Sequence, residues 1–186
     1  MKKVIVLLVA SLSLTACGSA AKDSQPKPTD TPNSVTHYKV PTTCELPEVN
    51  SAFAKIIPPS KYIPTKWTPA PGTDLEAALQ SGGIACSYGD QEGEVGGTVI
   101  WAENTGGLWD ARVKTWLQDG MVKVDIPGIN ESAAYKLPDG ATAADGLPAW
   151  KINMLVGNIW IQLGAGFIQG WKEATPILKA AIKAAN

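Results

Sequence analysis

Histidine is almost missing from this 186-residue chain: the one copy, His37, lies in a proline-rich stretch. A folded Ser-His-Asp or Cys-His centre therefore lacks its base. No G-x-S-x-G elbow, H-E-x-x-H helix, G-x-x-x-x-G-K phosphate loop or dinucleotide fingerprint occurs. No basic patch with interleaved aromatics is present, which excludes a nucleic-acid partner. Long apolar runs are also lacking. The run from Val4 to Leu14 follows Met1-Lys2-Lys3 and spans roughly 17 Å as a helix, against the roughly 30 Å of a bilayer core. Phenylalanine is scarce as well, with two copies against seven tryptophans.

What is present begins at the N-terminus. A basic start, a short apolar middle and small residues behind it make residues 1–16 an export signal, removed on maturation. Loss of Lys2 and Lys3 takes the sixteen basic residues to fourteen against seventeen acidic ones, a net charge of −3.

Leu14-Thr15-Ala16-Cys17-Gly18 resembles the bacterial lipobox, in which the cysteine carries lipid. That resemblance implies a thioether from Cys17 to diacylglycerol and cleavage before Cys17. Two or three acyl chains hold a protein stably at a membrane where one does not. The alternative is ordinary signal cleavage, with Cys17 left as a thiol. Committing Cys17 to lipid leaves Cys44 and Cys86, which can pair in an oxidising compartment. A loop of about 43 residues closed this way is stabilised by roughly 4 kcal/mol in the chain-entropy model. Metal binding is the rival, but two thiols and one histidine do not fill a tetrahedral zinc site.

Residues 17–43 hold the lipidated Cys17 and a tether rich in Pro, Thr and Ser, with Pro26, Pro28, Pro32 and Pro41. Such composition offers too little apolar surface to offset chain ordering. A flexible stretch of that length reaches roughly 28 Å. Residues 44–186 form one globular domain.

In that domain the periodicity predicts helices over about Pro47–Ile57, Asp74–Gln80, Leu108–Gln118 and Trp171–Ala185. In the last, Pro176 could mark the true start, with Thr175 as cap. Hairpins are expected from Ile84–Tyr88 with Gly96–Glu103, and from Ala149–Val156 with Ile159–Leu163 around Gly157-Asn158. Val122–Ile126 and Ala133–Leu137 are two further strands. Short hairpins force antiparallel pairing, so the class is α+β, an antiparallel sheet flanked by helices. Hairpin followed by helix occurs twice, an order that could come from an old duplication, though little residue identity supports it.

Signal, lipobox, tether, a cysteine opening the first helix (Thr43-Cys44-Glu45-Leu46) and a second in the first hairpin (Ala85-Cys86-Ser87-Tyr88) resemble small actinobacterial cell-envelope lipoproteins. Some of those have a PsbP-like fold. The resemblance implies architecture and location: an extracytoplasmic domain held at the cell membrane by its lipid. It implies no catalytic residues.

The chemistry left to the domain is thin. Asp90, Glu92 and Glu94 alternate around the first hairpin turn, but an EF-type loop would need glycine and an acid where Val95 and Trp101 stand. They read as a solvated turn. No cofactor or metal is implied. Trp101, Trp109, Trp116 and Trp160 are assigned to the core. Tyr62, Trp67 and Trp171 are the candidates for a patch that stacks on sugar rings or docks a partner. The expected function is thus a non-catalytic binding module for a protein, a glycan or a small apolar ligand. The alternatives are an inhibitory or structural partner of an envelope enzyme and a carboxylate-based hydrolase pairing, for example, Glu103 with Asp110.

Overall fold

The computed structural model describes residues 36–130, 132–142 and 146–186. The export signal, Cys17 and the tether up to residue 35 lie outside the described residues. The elements run α1 (Pro47–Ala54), β1 (Lys61–Ile63), α2 (Asp74–Gln80), β2 (Ile84–Asp90), β3 (Val95–Glu103), α3 (Leu108–Gln118), β4 (Val122–Val124), β5 (Ser132–Lys136), β6 (Trp150–Val156), β7 (Ile159–Ala165) and α4 (Trp171–Ala184). The seven strands make one antiparallel sheet in the order β1-β2-β3-β7-β6-β5-β4. The class is α+β, a sheet with helices on both faces.

Alternation along the strands sends side chains to two faces, and the register arranges each face in rows across the sheet. On the first face the rows are Tyr62, Tyr88, Gly97, Ala165 and Trp150; then Cys86, Val99, Leu163 and Ile152; then Trp101, Ile161 and Met154. Helices α1 and α4 cover this face with Val49, Phe53, Ile177, Leu178 and Ala181. Phe53 stacks on Tyr88 with ring centroids 5.1 Å apart, directly over Gly97, where a Cβ would come within 3.0 Å of the Phe53 ring. The Trp101 indole donates to the Ala181 carbonyl of α4 at 2.9 Å.

On the second face α2 and α3 cover two rows: Ala85, Ile100, Gln162, Asn153 and Tyr135, then Ala102, Trp160, Leu155 and Ala133. Trp116 sits at the centre, 4.9 Å from Trp109 and 5.5 Å from Trp160. Trp160 donates to the Asn153 Oδ1 at 3.0 Å. All four tryptophans assigned to the core from sequence are buried.

Cys44 and Cys86 form the disulfide, with Cα atoms 5.4 Å apart, and join the chain before α1 to the buried middle of β2. The helix ends follow local chemistry. Thr73 caps α2 by accepting from the Glu76 amide. Helix α3 closes in a Schellman turn: Gly120 at φ +80° lets the Met121 amide reach the Trp116 carbonyl at 2.8 Å.

Several expectations are corrected. Helix α1 stops at Ala54 rather than Ile57, because Pro58 disfavours helical backbone at Ile57. Between α1 and Trp67, where no element is predicted, lies strand β1, whose three residues are too few for a visible alternation. Helix α4 starts at Trp171, with Pro176 in its second turn and Thr175 inside the helix rather than capping it. Glu173 caps α4 instead, accepting from the Gly170 and Gln169 amides at 3.1 and 2.8 Å. Residues 36–43, assigned to the tether, are partly docked: the Tyr38 amide donates to the Asn158 Oδ1 at 2.8 Å, and the Lys39 amide to the Ala185 carbonyl at 2.7 Å. The duplication is not supported by the helices. Antiparallel β3 and β7 can be related only by an axis through the sheet, which keeps faces, yet α3 and α4 lie on opposite faces.

Candidate functional site

Among the described residues no helix covers one row on the second face: Ile63, Ser87, Thr98, Gly164 and Lys151, paired in that order across β1, β2, β3, β7 and β6. It floors a groove of about 740 Å³. The groove exists because its floor is small. Gly164 meets nothing within 4 Å where a Cβ would stand, and the next pair toward the hairpin turn is Gly89 opposite Gly96. Val95, Leu147 and Pro148 also line it and add apolar surface. Val95 and Leu147, 39% and 62% exposed, are two of four exposed large hydrophobics among the described residues.

A charged cluster stands at the Lys151 end. Asp74, the first residue of α2, is 7% exposed and is the only buried carboxylate among the described residues. Its Oδ1 accepts from Arg112 at 2.5 and 2.8 Å and from the Trp116 indole at 2.8 Å. Its Oδ2 lies 3.3 Å from the Lys151 Nζ. Arg112, the one arginine of the chain, also donates to the Gly72 carbonyl. One carboxylate against two cations leaves a net positive charge, and Lys151 is the member that lines the groove.

The structure does not bring Tyr62, Trp67 and Trp171 together. Tyr62 is on the first face beside Tyr88, at a centroid distance of 6.2 Å. Trp171 packs edge-on to Trp150 at 5.7 Å. Trp67 belongs to the second face, where its indole donates to the Ala85 carbonyl at 2.7 Å. Trp67 is thus on the opposite face from Tyr62, and Trp171 packs at the far end of the row that Tyr62 opens. Glu103 and Asp110 are both exposed. Asp90 accepts from the Glu92 amide within its own turn, and no cluster of three metal-ligating side chains exists among the described residues.

The groove residues were missed from sequence. Their signal was available: Ser87-x-Gly89 and Gly96-x-Thr98 place only small side chains at alternate positions of paired strands, the mark of a sheet face left unfilled. No family model, curated protein or solved structure matches the chain.

Proposed function

We propose that this chain is a lipid-anchored extracytoplasmic binding module, and that its groove takes one small, elongated, largely apolar ligand. The carrying observation is the uncovered row from Ile63 to Lys151 with open space over Gly164. Its volume falls in the range of small-molecule sites. The exposed apolar residues favour the groove over a protein-docking face, since two of the four stand on its rim.

Gly164→Leu fills the groove without touching the core. It should abolish uptake of Nile red, a neutral apolar dye, while the melting temperature stays unchanged. Undiminished dye binding would refute the groove reading.

The location rests on separate support. The lipobox-like Leu14–Gly18 and the Cys44–Cys86 disulfide both suit an exported, envelope-held protein akin to actinobacterial lipoproteins. Cys17→Ser should release the protein from membranes into the medium, and retention would refute the anchor.

A further inference from the structure

We infer that Lys151 reads the head group of the ligand, so that the groove selects a single-chain amphiphile ending in a carboxylate. This rests on the groove reading above and adds the ligand's chemistry to it. The anionic end sits at the Lys151 Nζ, and the chain lies over Gly164, Thr98 and Ser87 toward Ile63.

Charge supplies the first argument. Asp74 is already neutralised by Arg112, which holds it with two donors beside the Trp116 indole. Lys151 reaches only the second oxygen, at 3.3 Å, and keeps 32% of its side chain exposed. It has donors to spare, and a carboxylate arriving there meets a cluster carrying net positive charge. The Asp74–Arg112 pair acts as positioning, because it fixes the carboxylate that holds the lysine at the groove end.

Geometry supplies the second. Four strand spacings separate Ile63 from Lys151, about 19 Å. Between those ends the floor carries only Ser87, Thr98 and Gly164, which suits one chain extended along the row. Among the described residues Asp90, at the end of β2, and Glu94, in the turn that follows, are the acids that line the groove, at the end away from Lys151. By register Asp90 is three strands and three residues from Lys151, about 17 Å. That is about twice the screening length at physiological salt, so they do not cancel the lysine.

The test uses the full chain carrying Cys17→Ser, which avoids detergent, with Nile red displaced by oleate or by oleyl alcohol. The two share a chain and differ in the head. Oleate should displace about tenfold more strongly than the alcohol, in keeping with a charge-assisted contact. Lys151→Met keeps the stem and should remove that preference, bringing oleate down to the level of the alcohol, while Lys151→Arg should retain it. Equal affinities in the parent chain, or a preference that survives Lys151→Met, would overturn the head-group role while leaving the groove reading intact. Displacement by neither would overturn both. Lys151-dependent sedimentation with phosphatidylglycerol vesicles would overturn the free amphiphile in favour of a bilayer surface.

Discussion

Tyr88 shows how one buried hydroxyl ties the chain together. Its ring is sandwiched by Phe53 and Tyr62, and its O–H donates to the Cys44 carbonyl at 2.9 Å. Burial is the main cause that pushes its ionisation well above the ordinary 10.0, with smaller contributions from the neighbouring Tyr62 and Glu48. The folded pKa exceeds the unfolded one, so the stability it contributes is full below pH 10 and is lost as pH rises beyond it. Chemical denaturation above pH 10 should show about 1.4 kcal/mol lost per pH unit from this group. In Tyr88→Phe that part of the slope should vanish, and an unchanged slope would place the effect elsewhere. Asp74 is the second residue that matters singly. Asp74→Asn leaves the half-buried Arg112 without its carboxylate and should cost about 3 kcal/mol in denaturant titrations. Adding Arg112→Met should recover part of that loss, because the unpaired charge goes with it.

Elements divide into those with a strong period and those without. The Gly157-Asn158 hairpin, α2 and α3 were legible because two-residue turn chemistry, a Thr cap and a Gly stop each act within a few residues. β1 was illegible because it is three residues long and is held by pairing with β2, a partner far along the chain. The start of α4 at Trp171 was legible, with Pro176 as a rival start. Pro176 and Thr175 carry start chemistry, but Glu173 reaching back to the Gly170 amide nucleates the helix five residues earlier. The site was missed for a different cause. Glycines in strands read as weak points until register shows which face each one leaves open. Gly97 and Gly164 sit on neighbouring strands and face opposite sides of the sheet. Gly97→Val drives a methyl into Phe53 and Ala165 and should cost about 2 kcal/mol by thermal or chemical unfolding. A stable Gly97→Val protein would mean that α1 lies less tightly on the sheet than Phe53 indicates.

For the whole molecule, the two sheet faces carry different tasks. The first is closed by α1, α4 and the disulfide and supplies most of the core. The second is half closed by the tryptophan cluster under α3, which leaves the row from Ile63 to Lys151 as a groove. No helix among the described residues is long and apolar enough to cross a membrane. The proposed lipid would hold the groove close to a surface rich in amphiphiles, which links the location to the ligand. Residue-by-residue amide NMR of the Cys17→Ser chain during an oleate titration tests this account most directly. We predict shifts concentrated at Ser87, Thr98, Lys151 and Gly164, with α1 and α4 silent. Shifts confined to the α1–α4 face, or none at saturating oleate, would contradict it.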